Sequence, residues 1–335
     1  MSASNTPHAE GDVLDIVIVG AGPAGLAAAI AAHARGLRYV VIEKGALVNS
    51  LQHYPTDMVF FTTPELMEVG DLPFVSPHDK PTRQESLRYY RRVADRFGLD
   101  VSLGEVVTGL RREADGSFVT TSRPAHADPI ERRSRFVVLA TGAYDVANRL
   151  GVPGEDLPHV SHYHREAHTH YRRRVVIVGG KNSAAEAALE LYRAGVSVVI
   201  VHRGAAMGES IKYWVKPDIE NRIKEGTIRA RFNTRVVAIT PAHVELTGPD
   251  GPAREPADAV LLMTGYRSDP VLLRQAGARL DDATGAPVHD ETTFETTVPG
   301  LFVIGAVVAG SQSGRIFIEN GRFHGRVVVE EIARR

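Results

Sequence analysis

The 335-residue chain contains no cysteine. This absence excludes disulfide bonds, zinc–thiolate centres, iron–sulfur clusters and any catalytic thiol supplied by the chain itself. A chain of this length buries an adequate core without covalent crosslinks, and the absence fits a reducing compartment. Neither sign of charge is in excess, because 39 Lys and Arg stand against 40 Asp and Glu. Binding to nucleic acid or to a membrane surface through bulk positive charge is therefore excluded.

Long hydrophobic runs are also missing. The longest uncharged run, residues 16–32, is interrupted by glycines and a proline, and it falls short of the ~20 apolar residues of a membrane helix. Residues 2–15 contain no Lys or Arg, which the start of a signal peptide would need, so we expect a short disordered tail and a cytoplasmic protein. At ~150 residues per domain, the length indicates two domains or one domain with a large insertion.

An internal repeat relates residues 15–44 to residues 174–203, at an offset of 159 residues and without gaps. Each copy contains a β-branched run, a glycine-rich turn, an Ala- and Leu-rich stretch, a glycine and a second β-branched run. This order is typical of a βαβ unit. The sequence therefore predicts an α/β protein with two Rossmann-like dinucleotide-binding domains.

The first copy carries a complete G-x-G-x-x-G turn at residues 20–25. In such turns the first glycine permits the tight turn, the second lets backbone N–H groups approach a pyrophosphate, and the third allows helix and strand to pack closely. Glu43 ends the next strand, where a carboxylate binds an adenosine ribose and repels a 2′-phosphate. An ordinary glycine turn is the alternative, but the placement of strand, helix and acid favours a dinucleotide site.

The second turn, residues 179–184, keeps only Gly179 and the closing small residue Ala184. Lys181 replaces the second glycine, where it either weakens the site or contacts a phosphate directly. His202 and Arg203 end the next strand in place of an acid, and a cation there suits a 2′-phosphate. This pattern favours NADPH over NADH, although a solvated strand end is the alternative.

Two Thr-Gly pairs follow apolar runs that we expect to be strands, residues 135–139 and residues 260–263. Thr141-Gly142 follows the first run and Thr264-Gly265 follows the second. Each pair alone could be a simple turn. Their occurrence after both βαβ units favours backbone that passes close to a cofactor.

Two further segments leave alternatives open. Residues 212–226 indicate either a basic rim for a 2′-phosphate or an exposed helix with internal charge pairs. Residues 144–171 form a polar linker that contains five histidines, which we expect to be solvated rather than to bind a metal. They are His159, His162, His164, His168 and His170.

Four motifs carry a resemblance that covers residues 15–335. They are residues 54–65, 181–184 and 212–224, and residues 317–325, which open the last helix. Together with two Rossmann copies and a closing strand that ends at Gly305, they resemble the thioredoxin reductase-like two-dinucleotide flavoproteins. Within that group the chain is similar to the bacillithiol disulfide reductases, the YpdA-type proteins.

The resemblance implies an NADPH domain, residues 147–268, inserted into an FAD domain formed by residues 12–146 and 269–335. It also implies a homodimer. The residues implied for FAD are Gly20, Gly22, Pro23, Ala24, Glu43, Lys44, Gln52, Thr63, Thr141, Gly142, Gly305, Ala306 and Ile318. Those implied for NADPH are Gly180, Lys181, Asn182, Ser183, His202, Arg203, Lys212, Thr264 and Gly265. No side chain is assigned to acid–base catalysis or to a metal, and His53, Tyr54 and His324 lie only in segments near the flavin.

Two departures from the group's pattern concern the acceptor. Ala306 stands where the superfamily usually has an acid that holds the ribityl chain, and Ala24 stands where the bacillithiol reductase group has a cysteine. The thioredoxin reductase cysteine pair is absent as well, so both thiol relays are excluded. The resemblance implies NADPH-dependent reduction of bacillithiol disulfide. A ferredoxin or flavodoxin NADP reductase, a quinone reductase and a redox-sensing flavoprotein are the alternatives.

Overall fold

The computed structural model describes residues 13–312 and 314–335. The expected tail up to residue 12, and with it the start of the first predicted domain, lies outside the described residues. The described chain forms two compact units. The first contains residues up to 54, residues 58–146 and residues 266–335, and the second contains residues 55–57 and 147–265. None of the helices in this part of the chain has the length and hydrophobicity needed to cross a bilayer.

The regular elements alternate along both units. The helices are α1 (Pro23–Ala34), α2 (Asn49–Gln52), α3 (Arg83–Phe97), α4 (Asn182–Arg193), α5 (Lys216–Lys224), α6 (Val271–Gln275), α7 (Ile318–Gly321) and α8 (His324–Ile332). The strands are β1 (Leu14–Val19), β2 (Tyr39–Glu43), β3 (Val101–Leu103), β4 (Glu105–Arg112), β5 (Phe118–Pro124), β6 (Ile130–Leu139), β7 (Val146–Ala147), β8 (Val160–Ser161), β9 (Arg174–Val178), β10 (Ser197–Val201), β11 (Arg229–Arg231), β12 (Arg235–Ile239), β13 (His243–Gly248), β14 (Gly251–Pro256), β15 (Ala259–Leu262), β16 (Tyr266–Arg267) and β17 (Leu301–Val303). Short 3₁₀ helices span Pro64–Met67, His168–His170 and Gly305–Ala309.

The first unit is built on a sheet with the strand order β3-β2-β1-β6-β5-β4, to which β17 adds by pairing with β6. Strand β1 lies parallel to β2 and β6, with Val19 opposite Ile42 and Leu139. Alternate residues of β1 enter two cores: Ile16 packs among the residues of α1, α3 and α8, and Val17 lies in the core on the other face. Burial on both faces explains why β1 reads as a continuous apolar run.

The second unit repeats this arrangement. Its parallel sheet has the order β11-β10-β9-β15-β8, and Val178 lies opposite Val201 and Leu262. Helix α4 starts and ends 159 residues after α1, which is the repeat offset of the sequence. An antiparallel sheet of β12, β13 and β14 completes the unit. The glycine turns therefore follow structurally equivalent strands, and the carboxyl ends of parallel strands are where α/β sheets bind their ligands.

Three predicted elements differ in extent. Strand β6 begins at Ile130 rather than residue 135, because its first half pairs antiparallel with β5. The predicted helix at residues 212–226 begins only at Lys216, followed at once by Pro217, which favours the first turn of a helix. The last predicted helix is divided into α7 and α8.

Candidate dinucleotide-binding sites

The first glycine turn is packed against itself and its neighbours. Gly20 has a φ of +106°, and a Cβ there would lie 2.5 Å from the Ala140 carbonyl oxygen. A Cβ at Gly25 would lie 1.9 Å from the Gly20 carbonyl oxygen. The backbone that precedes Thr141-Gly142 therefore runs directly against the turn.

No side chain caps the amino terminus of α1, so an anion could bind its N–H groups without displacing a side chain. Its N-cap is Gly22, there is no side-chain cap, and the first turn contains no acid. A Cβ at Gly22 would meet no atom within 4 Å, so the space before the turn is open. By contrast, α3 is capped by a reciprocal pair of Thr82 and Glu85. The uncapped N–H groups and the open space of α1 fit a pyrophosphate.

Glu43 fixes the first turn from the end of β2. Its carboxylate is only 6% exposed and accepts hydrogen bonds from the N–H groups of Ala21 at 2.8 Å and Gly45 at 3.0 Å. Burial raises the pKa of Glu43, and the two N–H donors oppose that rise. A carboxylate has about four acceptor positions, so capacity remains for ribose hydroxyls. The neighbouring Lys44 instead pairs with Asp145 at 2.7 Å.

The closing strand brings further selected residues to the same turn. Gly305 follows β17, and a Cβ there would lie 2.9 Å from the Cβ of Ala24. Gly321, at the end of α7, approaches the Gly305 Cα as well. Ala24 and Gly305 are therefore brought together, with Ala306 next in the chain and half-buried. Thr62, beside the exposed Thr63, has a buried hydroxyl with no hydrogen-bond partner among the residues that the structure describes.

Two arginines that the sequence analysis did not select, Arg83 and Arg322, hydrogen-bond to the backbone of segments near the first turn. Arg83 donates to the carbonyl oxygens of Leu51 at 3.0 Å and Gln52 at 2.5 Å, which fixes the end of α2. Arg322 donates from Nη1 to the carbonyl oxygens of Glu65 at 2.7 Å and Glu68 at 2.8 Å. Arg322 lies in the motif at residues 317–325, which was a usable signal. No sequence signal marks Arg83.

The second glycine turn has the same backbone plan. A Cβ at Gly179 would lie 2.5 Å from the carbonyl oxygen of Met263, which precedes Thr264-Gly265. Helix α4 has Lys181 as N-cap, with no side-chain cap and no acid in the first turn. Lys181 and Ser183 are both exposed. The turn therefore presents free N–H groups and an ammonium to an anion.

His202 lies flat between two glycines. A Cβ at Gly180 would lie 2.5 Å from three of its ring atoms, and a Cβ at Gly204 would lie 2.7 Å from Nε2. Burial, aided by the nearby Arg203, lowers the pKa of His202, so the imidazole is neutral at pH 7. Arg203 is exposed and makes no ion pair with any residue of the described ranges. The positive charge at this strand end therefore belongs to Arg203.

Asn182 and Lys212 hold a loop over the second turn. Asn182 accepts from the Lys212 N–H at 2.9 Å and donates to the Ser210 carbonyl oxygen at 3.0 Å. The Gly208 N–H donates to the Gly180 carbonyl oxygen at 2.7 Å. The buried ammonium of Lys212 pairs with Glu186. Both side chains selected for NADPH thus also position residues 208–212.

Of the two interpretations of residues 212–226, the structure favours internal charge pairs. Lys216 pairs with Glu209, and Arg222 pairs with Asp218 and Glu225. The second Thr-Gly pair is fixed by a residue distant in sequence, since the Thr264 hydroxyl donates to the Asn148 carbonyl oxygen at 2.5 Å.

The expectation of solvated linker histidines is wrong for His164. Its side chain is buried, and Nε2 lies 2.9 Å from the Glu190 carboxylate. The linker packs against α4 at this point, which its low apolar content did not indicate. Within residues 13–312 and 314–335, no group of three or more His, Asp or Glu side chains is placed to hold a metal ion.

Comparison with known proteins agrees with the two repeated turns. The pyridine nucleotide-disulphide oxidoreductase family model matches residues 17–305, which include both glycine turns and the closing strand. The chain belongs to this family. The membership confirms the two Rossmann-like domains, the resemblance to thioredoxin reductase-like flavoproteins and the oxidoreductase class. The predicted cofactors, FAD and NADPH, are those that the family uses.

Three of the similar proteins are reductases from Bacillus and Staphylococcus. The chain is 41% identical over 321 residues to the bacilliredoxin reductase Bdr of Bacillus subtilis (strain 168), which covers 95% of this chain and 97% of that protein. The structure of bacillithiol disulfide reductase Bdr (YpdA) from Bacillus cereus is similar, with a TM-score of 0.94 and 37% identity over 96% of this chain and 99% of that one. The Staphylococcus aureus counterpart has a TM-score of 0.91 and 35% identity, with the same coverage.

Proposed function

We propose that this oxidoreductase passes electrons from NADPH through FAD to a low-molecular-weight disulfide of the bacillithiol type. The observation that carries the acceptor is the 41% identity to a bacilliredoxin reductase together with the TM-score of 0.94 to a bacillithiol disulfide reductase. Both similarities extend over at least 95% of the chain. The acceptor class follows from this whole-chain similarity and not from one local motif.

Different residues of the first unit would bind different parts of FAD. The uncapped turn of α1 would bind the pyrophosphate through N–H groups, and the buried Glu43 would accept from the adenosine ribose. Gly305, packed on Ala24, would leave the flavin end free of side-chain bulk. In the second unit, the turn of α4 would bind the NADPH pyrophosphate and Arg203 the 2′-phosphate. The bound cofactors supply hydride transfer from nicotinamide to the flavin N5.

Reduction of the disulfide proceeds without any thiol of the enzyme. One disulfide takes two electrons and two protons and yields two thiols, and NADPH supplies a hydride while solvent supplies one proton. Thiol–disulfide exchange needs a thiolate, which this cysteine-free chain lacks. Bound FAD would therefore have to supply the electrons to the disulfide directly, and this chain cannot form a mixed disulfide with it.

The absence of cysteine also favours a second candidate, reduction of a one-electron carrier such as ferredoxin or flavodoxin. That reaction needs no thiol and no small-molecule pocket. It predicts a rate that falls as salt screens the docking of a charged protein, whereas reduction of a small disulfide is less sensitive.

A cytoplasmic homodimer is the proposed state of the protein. The lack of cysteine fits a reducing compartment. Large apolar side chains of the first unit are exposed, including Phe61, Phe317 and Phe323 at 53%, 58% and 57%. These side chains would be available for contacts between subunits if they lie in one patch of the dimer surface. Sedimentation equilibrium at twice the 36.4 kDa chain mass would support the dimer, and a monomer at micromolar concentration would contradict it.

The test begins with the cofactor and continues with the acceptor. The purified protein should be yellow and release FAD on denaturation. NADPH oxidation is then measured anaerobically with bacillithiol disulfide, ferredoxin, flavodoxin and a quinone, each offered separately. Turnover with the disulfide alone supports the proposal. Turnover with a protein carrier or quinone and none with the disulfide rejects it.

The Ala24→Cys variant sharpens this test. It restores a thiol within the first glycine turn, next to Gly305. If the site still recognises the disulfide, the variant should gain activity and form a mixed disulfide that mass spectrometry detects. An unchanged rate and no adduct would show that the site has diverged beyond this residue.

A further inference from the structure

The turn after the closing strand is constrained on two sides. Gly305 has a φ of +71°, a conformation that favours glycine. A Cβ at Gly305 would lie 2.9 Å from the Ala24 Cβ, and one at Gly321 would lie 3.3 Å from the Gly305 Cα. Neither residue of this turn has a polar side chain: Gly305 has none at all, and Ala306 has only a methyl group. The turn must therefore be held by contacts from other segments.

An imidazole supplies the missing contact. The Gly305 N–H donates to Nδ1 of His324 at 3.2 Å. A histidine that accepts at Nδ1 is neutral and carries its proton on Nε2. Burial, with a smaller contribution from His289, lowers the pKa of His324 to about 4, so the accepting form is present at neutral pH.

The His324 imidazole is held in place by a further contact. Its ring stacks on Phe294 with centroids 4.1 Å apart and planes 20° apart. Phe294 has a φ of +60°, which is costly for a bulky side chain. Its carbonyl oxygen accepts from the Val303 N–H at 3.0 Å, which ties it to β17. The strained residue therefore connects the closing strand to the imidazole.

The residues on both sides of His324 are also anchored. A Cβ at Gly325 would lie 2.4 Å from the Ala28 nitrogen, so α8 packs on α1 without a side chain between them. Arg322 binds the carbonyl oxygens of Glu65 and Glu68. The segment 322–325 thus contacts the helix after the glycine turn, the segment after Thr63 and the closing strand.

We propose that His324 is a positioning residue of the FAD site, which holds the Gly305–Ala306 turn in place through the Nδ1 hydrogen bond. The inference rests on the proposed placement of FAD in the first unit. Ala306 has no carboxylate with which to hold the turn. In this proposal the neutral imidazole of His324, at the start of α8, holds the turn instead.

Two substitutions separate the acceptor from the bulk of the ring. His324→Asn keeps an acceptor near the Nδ1 position, and His324→Leu keeps the volume without an acceptor. The FAD dissociation constant is measured by flavin fluorescence on apoprotein, together with the visible spectrum of the bound flavin. We expect His324→Leu to weaken FAD binding tenfold to a hundredfold, the range for a buried N–H left without a partner. His324→Asn should stay within about threefold of the wild type.

His289→Leu is the matched control. His289 stacks on the same Phe294 with centroids 6.0 Å apart, but its Nδ1 faces the Pro287 carbonyl oxygen and has no contact with Gly305. Wild-type affinity in this variant supports the inference. An effect as large as that of His324→Leu overturns it, because the stack and not the acceptor would then matter. Equal affinities for the Leu and Asn variants at position 324 overturn it too.

A measurement on the unsubstituted protein decides the matter if His324→Leu does not fold. Nitrogen-15 spectra of the imidazoles, with the His324 signals identified by their loss in His324→Asn, should show a proton on Nε2 and none on Nδ1. A proton on Nδ1 overturns the inference. Failure of the wild type to bind FAD overturns the proposed function and the inference together, whereas FAD binding that is indifferent to position 324 overturns the inference alone.

Discussion

The two βαβ units use one backbone plan with opposite chemistry at the strand end. In the first, Glu43 lies between Ala21 and Gly45 and accepts a hydrogen bond from each. In the second, His202 lies between the equivalent residues Gly180 and Gly204, but it contacts them through the faces of its ring. A buried carboxylate selects a ribose with free hydroxyls. A neutral ring beside an exposed Arg203 leaves room and charge for a 2′-phosphate.

The equivalence extends to the loops that follow. The Ala21 carbonyl oxygen accepts from the Val48 N–H at 3.1 Å, and the Gly180 carbonyl oxygen accepts from the Gly208 N–H at 2.7 Å. Each turn is thus held on one side by the strand-end side chain and on the other by the next loop. Because these backbone contacts are similar in the two units, we propose that the cofactor preference resides in a few side chains.

The largest expected effect concerns the last position of the two turns, which is Gly25 in one and Ala184 in the other. Gly25→Ala would drive a Cβ to 1.9 Å from the Gly20 carbonyl oxygen. We expect destabilisation by about 3 kcal/mol or more and loss of bound FAD. Ala184→Gly should cost only about 1 kcal/mol, the helix penalty of glycine. Calorimetry and FAD content test the pair, and FAD-replete Gly25→Ala protein would contradict the role of the glycine.

The repeat shows what sequence can predict. The bounds of α1 and α4 follow from the glycine turns and from the Ala- and Leu-rich stretches, because these signals are local. The ring of His202 against Gly180 could not be predicted. Its orientation depends on the loop at residues 204–212, which folds back through Asn182, a contact between residues about thirty positions apart.

Arg203 and Lys44 occupy equivalent positions and differ in their partners. Lys44 pairs with Asp145, whereas Arg203 has no ion pair within the described part of the chain. Arg203→Ala should raise the NADPH KM tenfold to a hundredfold and leave NADH nearly unchanged, because charge-assisted bonds to the 2′-phosphate contribute ~1.5–3 kcal/mol. Lys44→Ala is the comparison at the equivalent position of the first unit. Measured on FAD-loaded protein, it should change neither nicotinamide KM, because Lys44 is assigned to FAD and not to NADPH. Equal losses with both nucleotides would show that the 2′-phosphate site is misassigned.

Glu43→Gln tests the carboxylate without changing its shape. An amide offers one acceptor oxygen, so either the Ala21 or the Gly45 N–H loses its partner. We expect FAD affinity to fall about tenfold, within the range for one unsatisfied buried donor. The KM for NADPH should not change, because the substitution lies in the other unit. An unaltered FAD dissociation constant would remove Glu43 from the site.

The smallest expected effect is a pair of opposite pH dependences of stability. The pKa of Glu43 is raised above 4.5, so just above that pH the folded state keeps a proton that the unfolded state releases. The contribution of Glu43 to stability therefore falls as pH rises through this window. The pKa of His202 is lowered below 6.5, so just below that pH the imidazole is protonated in the unfolded state and neutral in the folded state. The contribution of His202 is complete above that pH and falls as pH drops.

Urea midpoints of the apoprotein from pH 4.5 to 7.5 test this opposition. The advantage of the wild type over His202→Gln should grow as pH rises towards 7, since the neutral ring is then buried at no protonation cost. The stability advantage of the wild type over Glu43→Gln should shrink as pH rises through the lower part of the range, because the buried carboxyl group must then lose its proton. Both substitutions remove one titrating group and add the same amide, so other groups cancel in the comparison. Slopes of the same sign would mean that one of the two pKa shifts has the opposite direction, for example that the Ala21 and Gly45 N–H donors outweigh burial and lower the pKa of Glu43.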